Sequence, residues 1–433
     1  MTSVETVSAL ERRLNASIPQ QAIRGEVSAR LKQIGRNAKI AGFRPGKVPA
    51  KVIEQHYGAR IHQEALDEAL RRSFQEATSV NNLRVAGDPL FEIKTNDLSA
   101  EQVEYSATFE VYPEVMMGDL SGEAVERWIY ELTPVDVENT LATMRKQRAT
   151  YETVARAAQN ADQVTIDFVG KLDGKVFEGG EAKDLAMVLG VGRMLPDFEA
   201  AIIGMMANQT KSFEMTVPED YHGKNVAGKK VSFTVVLHSV GAAKLPEVDA
   251  QFAISVGIAD GDVNKLDNEI RSNLTQEMSR RLKLHNKEVA MDALLKIAQF
   301  DVPRSLVDME IQSMMQKTVQ EMESRGAKMK GMSLQPDMFK ERAEKRVKLG
   351  IILSELVQKY DLYARPEQTK TMIENYAQGF DESEQIIRWY AADPKRMIEV
   401  ENLVLEENLV DWVMGQAKVT DKQPLFNDLM GNN

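Results

Sequence analysis

The chain has 433 residues, which exceeds a single hydrophobic core of about 250–300 residues and indicates about three domains. Hydrophobic residues make up 43% and charged residues 27%, and there is no cysteine, so the composition excludes a disordered chain, a disulfide scaffold and a cysteine metal site. The net charge of −11 argues against a chain devoted as a whole to nucleic acid.

Charge is distributed unevenly along the chain. Residues 11–60, here called the basic head, carry eleven Lys and Arg against three acidic residues, so their charge is +8 while the remainder sums to −19. One interpretation is that the head alone binds an anionic partner, and the other is that it forms a solvated helical surface. The opening residues contain no apolar signal-peptide segment, so we expect a soluble, cytoplasmic protein.

The first 112 residues combine helix and strand patterns. Apolar residues alternate between Leu10 and Ile18, which predicts a strand, and Pro19 then opens a helical pattern that ends near Gly35. A second helix is predicted from Pro49 to about Val80, and alternation returns over 103–111. The sequence therefore predicts an N-terminal α+β domain over residues 1–112.

A short loop between these two helices has an unusual composition. It reads Gly42-Phe43-Arg44-Pro45-Gly46-Lys47-Val48-Pro49, and its two glycines and two prolines exclude helix and favour a tight turn. Aromatic and arginine side chains are enriched at binding hot spots, so the tip is one candidate docking site. The alternative is that Phe43 folds back and packs between the helices.

The middle of the chain has a β pattern around one short helix. Val164, Ile166 and Phe168 alternate, two further alternating segments follow, and a helix is predicted at Pro196–Met206. The pattern predicts an antiparallel sheet that packs on one helix, within a domain over residues 151–245. The aromatic residues of this domain and the two apolar residues just before the helix form either a plain core or a ligand pocket: Phe168, Phe177, Met194, Leu195, Phe198, Tyr221 and Phe233.

The remaining segments read as helical. Residues 113–150 form a linker with a predicted helix at Val135–Tyr151, and residues 246–433 show no strand pattern, which predicts an all-α C-terminal domain. Helices are expected to begin or separate at four prolines, Pro303, Pro336, Pro366 and Pro394. Thirteen of the 22 methionines lie in this last part, where they either fill the core or form an adaptable binding surface.

No cofactor or metal site is expected. Gly223–Lys229 fits most of a phosphate-binding loop, but Lys230 replaces the Ser or Thr that binds Mg²⁺, and a strand pattern follows where a helix is needed. The five histidines show no metal-binding spacing.

The loop sequence GFRPGKVP resembles the ribosome-binding signature of the bacterial trigger factor family, and the resemblance covers essentially the whole chain. It implies that the signature residues contact a ribosomal protein and nearby RNA at the tunnel exit. Pro45 stands where the family often has a lysine, which removes a positive charge that Arg36 and Lys39 could partly replace. The signature residues are Gly42, Phe43, Arg44, Pro45, Gly46, Lys47 and Pro49.

The middle domain resembles FKBP-type prolyl isomerases in VTIDFVGKLDGKVFEGG, LGVGRMLPDFEAAIIGM, VPEDYHG and KKVSFTVVL. The resemblance implies that the seven residues named above for the middle domain surround a proline-binding pocket. Phe198 replaces the tryptophan usual on the pocket floor, and Glu178 replaces an aspartate beside the pocket. We expect these departures to change drug affinity and to leave isomerisation intact.

The resemblance thus implies a ribosome-associated, ATP-independent chaperone that binds nascent and unfolded chains and isomerises X-Pro bonds. It implies no cofactor, no membrane partner, a helical domain that forms an open cradle for clients, and a homodimer when the protein is free of the ribosome. The first alternative is a free prolyl isomerase whose helical domain only supplies substrate affinity. The second is a storage or scaffold protein with a vestigial isomerase domain.

Overall fold

The computed structural model describes residues 2–38, 43, 47–95, 100–221, 223, 225–326, 334–377 and 382–431. The chain divides into two compact units: unit 1 comprises Met1–Trp128 and Lys283–Gln423, and unit 2 comprises Ile129–Leu282 and Pro424–Asn433. Each unit contains both helices and strands, so the multidomain α+β class is confirmed. The boundaries 1–112, 113–150, 151–245 and 246–433 stay predictions.

The elements of the first half follow in chain order. They are β1 (Ser3–Thr6), β2 (Glu11–Pro19), α1 (Gln20–Asn37), α2 (Ala50–Val80), β3 (Val85–Ile93), β4 (Gln102–Val111), β5 (Met116–Met117), a 3₁₀ turn (Leu120–Gly122), β6 (Ala124–Trp128), α3 (Pro134–Gln147), β7 (Thr150–Thr153), β8 (Gln163–Leu172), β9 (Lys175–Val188), α4 (Pro196–Ile202) and β10 (Gln209–Thr216).

The second half is mostly helical. Its elements are β11 (Lys230–Lys244), α5 (Ala250–Ser255), α6 (Val263–Ile297), β12 (Ala298–Gln299), α7 (Arg304–Ser324), α8 (Asp337–Tyr360), α9 (Pro366–Ala377), α10 (Ser383–Ala391), α11 (Pro394–Gln416), β13 (Lys418–Lys422) and α12 (Phe426–Met430). Helices α7, α8, α9 and α11 begin at or directly after the four prolines, as predicted.

Unit 1 begins with an antiparallel sheet in the order β1-β2-β4-β3, against which α2 packs. The alternation in β2 and β4 places the apolar residues on the core face, including Leu14, Ile18, Tyr105 and Phe109, all of them buried. The strands predicted near 10–18 and 103–111 and the helices predicted from Pro19 and Pro49 are confirmed.

Three sequence predictions differ from the structure. The helix expected over Val135–Tyr151 ends at Gln147, because Tyr151 pairs in β7 with Ala243 of β11. The helix expected over Pro196–Met206 ends at Ile202. Two short strands, β12 and β13, lie in the part predicted to contain helices alone.

Strand β13 pairs with β6 in parallel across a very large sequence separation. Arg127 donates two hydrogen bonds to the Asp421 carboxylate, at 2.7 and 2.9 Å, although 294 positions separate the two residues. Lys422 adds an ion pair with Glu126 at 2.8 Å. No apolar alternation marks this strand, because almost all of its side chains are exposed and neither face is buried.

A second long-range contact in unit 1 joins the β1-β2-β4-β3 sheet, here called the head sheet, to the start of α7. Two oxygens of the Glu110 carboxylate, on β4, accept hydrogen bonds from the backbone N–H groups of Arg304 and Ser305, at 3.1 and 2.7 Å. The Ser305 hydroxyl lies 2.6 Å from Glu110 Oε2 and 2.8 Å from the carbonyl oxygen of Ala86. A carboxylate at this place satisfies N–H groups that a helix leaves open at its first turn.

In unit 2, α6 carries a carboxylate held between two arginines. Hydrogen bonds from Arg280 and then Arg281 lower the pKa of Glu277 to about 2. Arg281 also donates to the carbonyl oxygen of Leu429 at 3.0 Å, which ties α12 to α6. The ionised form of Glu277 therefore contributes stability that is complete above its ordinary pKa of 4.5 and is lost as the pH falls toward about 2.

We expect Glu277→Gln to make unit 2 less stable than the wild type at pH 6, with a difference that shrinks steadily below about pH 4.5. Scanning calorimetry at several pH values between 6 and 3 measures this difference. Glu269→Gln, an exposed position on the same helix, is the matched control and should follow the wild type at every pH. A difference for Glu277→Gln that stays constant with pH would contradict this account.

Candidate functional site

The candidate pocket lies on the inner face of the unit 2 sheet, whose strand order is β10-β11-β8-β9, with β7 joined to β11. Period-two alternation in β8 and β11 brings Phe168 and Phe233 to the face that α4 covers. Phe198, on α4, is only 1% exposed and reaches the same cluster. Three aromatic rings from three elements thus meet in one apolar core.

The rings in this cluster pack mainly edge to face. The Phe198 centroid lies 5.4 Å from that of Phe168 and 5.2 Å from that of Phe233, at interplanar angles of 74° and 82°. Phe177 meets Phe233 at 6.2 Å and 87°. Such arrangements place the positive ring edge against the negative ring face, which is favourable beyond the area buried.

Gly170, on β8, leaves the space that two of these rings occupy. A Cβ atom at this position would lie 2.5 Å from Cε1 of Phe233 and 2.8 Å from Cε1 of Phe177. Any larger residue would push both rings away from their present positions. Gly170 is therefore required by the packing of this aromatic cluster.

Four partly buried residues complete the set. Phe177, Met194, Leu195 and Tyr221 pack against the buried cluster that contains Phe168, Phe198 and Phe233. The structure thus brings together all seven residues that the sequence proposed for a proline pocket. Their role in binding proline stays a prediction.

Two residues of this region were missed by the sequence analysis as site residues. Phe213, on β10, stacks on Phe233 with centroids 5.9 Å apart and lies 5.7 Å from Phe198. Its alternation with Met215 and Val217 was a usable signal, because it puts all three on one face. Glu199 is a charged side chain only 5% exposed, and nothing in its sequence context indicates burial.

The proposed docking loop is described only in part. Gly42, Arg44, Pro45 and Gly46 lie outside the described residues, as does Lys39. Phe43 is 40% exposed, so the described side chain is accessible at this position. Lys47, Pro49 and Arg36 are exposed as well, and the Pro49 carbonyl accepts the N–H groups of Val52 and Ile53 at the start of α2.

One group in unit 2 has the composition of a metal site. Asp167, Asp184 and His238 bring ligand atoms within 4.8 Å of one another. Asp167 Oδ1 accepts the N–H of Asp184 at 2.7 Å, and Oδ2 lies 3.0 Å from Nε2 of His238. The hydrogen bond from Asp184 and then that from His238 lower the pKa of Asp167. These mutual contacts join three neighbouring strands and explain the grouping.

The helical part of unit 1 contains a cavity of about 540 Å³. Tyr112 and Val115 line one side, while Met309 on α7 and Ile351 on α8 line the others. Met309 is 53% exposed, whereas Met314 on the same helix is 5% exposed and belongs to a core. Met314 therefore fills a core, whereas the binding role of exposed methionines such as Met309 stays a prediction. Among the described residues, no helix is long and apolar enough to cross a membrane.

Three family models match the chain in order. The model described as "Bacterial trigger factor protein (TF)" matches residues 1–144, that of the FKBP-type peptidyl-prolyl cis-trans isomerases matches 154–238, and that of the trigger factor C-terminus matches 262–415. Together they cover the head, the pocket and most of the helical part.

Curated relatives match over the full length. The trigger factor of Nitrosospira multiformis is 47% identical over 433 residues, with 100% of both chains covered. That of Dechloromonas aromatica is 49% identical and covers 98% of this chain and 97% of its own. A solved structure described as "Promiscuous Substrate Recognition in Folding and Assembly Activities of the Trigger Factor Chaperone" covers 96% of this chain at 16% identity, with a TM-score of 0.46.

Proposed function

The chain belongs to the bacterial trigger factor family, and from that premise we propose which of its residues carry each activity. It is a ribosome-associated molecular chaperone with peptidyl-prolyl isomerase activity. We assign isomerisation to the pocket of unit 2, ribosome docking to the 42–49 loop, and client binding to the helical part. The observation that supports the first assignment best is the convergence of seven predicted residues in one aromatic cluster.

The pocket suits isomerisation because the reaction needs no nucleophile, acid or base. The barrier of about 18–20 kcal/mol arises from amide resonance, which places partial charge on the carbonyl oxygen. An apolar pocket disfavours that charge-separated planar form. We propose that Phe168, Phe198 and Phe233 hold the proline ring while the preceding bond rotates, so that the rotated state is bound more tightly than the planar one.

Tyr221→Ala tests this assignment. Tyr221 packs on the edge of the cluster and is only partly buried, so its loss should leave the domain folded. We expect kcat/KM for a proline-containing tetrapeptide to fall at least tenfold in a protease-free isomerisation assay, because one wall of the pocket is removed. Val176→Ala, at a residue 46% exposed in the same unit, is the control and should keep wild-type activity. Unchanged activity in Tyr221→Ala would show that the pocket is misplaced.

The head and its loop are proposed to bind the ribosome. Phe43 and Lys47 are exposed, and the surrounding residues 11–60 carry a charge of +8 in a chain whose total is −11. A cationic surface binds phosphate groups and releases their counterions, so it favours contact with ribosomal RNA next to a ribosomal protein. We propose that Phe43 supplies the apolar contact, and that Arg44 and Lys47 supply the ionic ones.

Cosedimentation with ribosomes at two salt concentrations tests the docking assignment. We expect wild-type binding to weaken as salt rises, and the triple variant Phe43→Ala, Arg44→Ala, Lys47→Ala to lose at least tenfold in affinity at low salt. Lys51→Ala with Arg60→Ala, on exposed positions of α2, is the charge-matched control and should lose less. If the triple variant binds like the wild type, docking belongs to another surface, and the alternative of a free isomerase gains support.

The helical part is proposed to hold client chains. Partly exposed Met309 and the adjoining cavity offer adaptable apolar surface, while the acidic balance of residues 246–433 keeps such surface soluble. We further propose that the protein works in the cytoplasm, needs no cofactor, and pairs with itself when it is free of the ribosome.

A further inference from the structure

Glu199 is a buried charge that the proposed pocket does not explain. It follows Phe198 on α4, and it is 5% exposed among apolar neighbours. A buried carboxylate is costly unless its oxygens accept hydrogen bonds, so its partners indicate its role. Both partners lie in the segment between β9 and α4, which carries Met194 and Leu195.

The two carboxylate oxygens of Glu199 bind opposite ends of one loop. Oε2 accepts the backbone N–H of Gly190 at 2.7 Å, and Oε1 accepts that of Met194 at 3.0 Å. Gly190 lies in a turn and residues 191–194 form bends, between the end of β9 and the start of α4. The Glu199 side chain therefore bridges the two ends of the loop and fixes both of them to α4.

The end of the loop at Gly190 is also fixed by hydrogen bonds of the preceding residue, Leu189. Leu189 donates its N–H to the carbonyl oxygen of Asp162 at 2.9 Å, and the buried Asp162 carboxylate binds Arg156 through two hydrogen bonds, at 2.6 and 2.9 Å. At the other end, the side chain of Met194 packs against the aromatic cluster, and its backbone N–H is bound by Glu199 Oε1. The carboxylate therefore fixes the backbone of Met194 while the side chain lies on the cluster.

We propose that Glu199 is a positioning residue for the isomerase: through the N–H groups of Gly190 and Met194 it holds Met194 and Leu195 against the aromatic cluster and closes one wall of the proline pocket. Glu199 acts through the loop, and its carboxylate does not contact the substrate. The inference rests on the proposed pocket.

Glu199→Gln is the direct test, because it keeps the shape of the side chain but replaces one accepting oxygen with an amide that donates. We expect KM for a proline tetrapeptide to rise about tenfold with kcat changed less than twofold, since the wall that grips the ring is loosened. The backbone amide proton resonance of Gly190 or Met194 should move upfield. Asp197→Asn, an exposed acidic position on the same turn, is the matched control and should change neither kinetics nor these resonances.

A measurement on the wild-type protein keeps the inference testable if the variant does not fold. The amides of Gly190 and Met194 should exchange with solvent at least tenfold more slowly than those of Gly192 and Arg193, which have no hydrogen-bond acceptor in the described part of the chain. Equal exchange rates would overturn the proposal.

Tyr221→Ala separates failure of this inference from failure of the pocket itself. Loss of activity in Tyr221→Ala together with wild-type KM in a folded Glu199→Gln would overturn the role of Glu199 and leave the pocket standing. Wild-type activity in both variants would overturn both. A raised KM in Glu199→Gln, together with the shifted amide resonance, supports the proposal.

Discussion

Phe198→Ala should lower the free energy of unfolding of unit 2 by about 3 to 5 kcal/mol. The side chain is 1% exposed and lies within 5.7 Å, between ring centroids, of Phe168, Phe213 and Phe233. Truncation leaves a cavity at the point where sheet and helix meet, and three aromatic neighbours lose an edge-to-face partner.

Hydrogen exchange followed by mass spectrometry resolves this effect to unit 2. Peptides from β8 and β11 should exchange much faster in Phe198→Ala than in the wild type. All three tryptophans, Trp128, Trp389 and Trp412, lie in unit 1, so the denaturant midpoint followed by tryptophan fluorescence should stay unchanged. Val176→Ala, 46% exposed, should change exchange little. Wild-type exchange in Phe198→Ala would refute its place at the centre of the core.

Gly87→Ala should lower the stability of unit 1 by about 3 kcal/mol. Gly87 has φ +77°, which an L side chain rarely adopts, and a Cβ there would lie 2.5 Å from the Cβ of Ser305. The added methyl group therefore strains the backbone and pushes Ser305 away from the Glu110 carboxylate and the Ala86 carbonyl. The contact between the head sheet and α7 would be lost.

Tryptophan fluorescence during urea unfolding measures this loss, because the three tryptophans report on unit 1. Gly25→Ala is a control of opposite sign: Gly25 lies inside α1, a Cβ there meets no atom within 4 Å, and alanine favours helix by about 0.5–1 kcal/mol. A Gly87→Ala protein as stable as the wild type would mean that the backbone of β3 at Gly87 adapts without cost.

Much of the fold could be predicted from local patterns, because they report local physics. Proline fixes φ and lacks an N–H, so Pro303, Pro336, Pro366 and Pro394 marked helix starts wherever they occurred. Alternation over 103–111 indicated a half-buried strand, because the backbone of a strand directs successive side chains to opposite faces of the sheet.

The pairings that depend on distant partners could not be predicted. The sequence of β13, Lys418–Lys422, has no apolar alternation, and the strand forms by pairing with β6. Two exposed ion pairs, with Arg127 and Glu126, lie beside this pairing. The helix predicted at Val135–Tyr151 was too long for the same reason, because Tyr151 pairs with the distant strand β11.

The candidate site shows the same division. Burial of its aromatic members could be expected because large apolar residues are normally buried, but only the resemblance to FKBP-type isomerases marked them as pocket candidates. The structure brings them together. Glu199 was missed because a glutamate beside an apolar helix face is usually solvated. Only the fold shows that the N–H groups of Gly190 and Met194 donate to its carboxylate. The docking role of the loop residues stays a prediction for Gly42, Arg44, Pro45 and Gly46.

The parallel pairing of β6 with β13 has a consequence for the order in which the chain is made. At about 5 to 20 residues per second, the 294 positions between Arg127 and Asp421 take about 15 to 60 s to translate. Strand β6 therefore cannot pair with β13 while the intervening segments are being translated. The sheet that holds the pocket is made from nearly contiguous residues, and it can close long before that. During synthesis, the sheet that holds the pocket is complete first, whereas each of the two units is complete only when its C-terminal segment, β13 in unit 1 and α12 in unit 2, has been made.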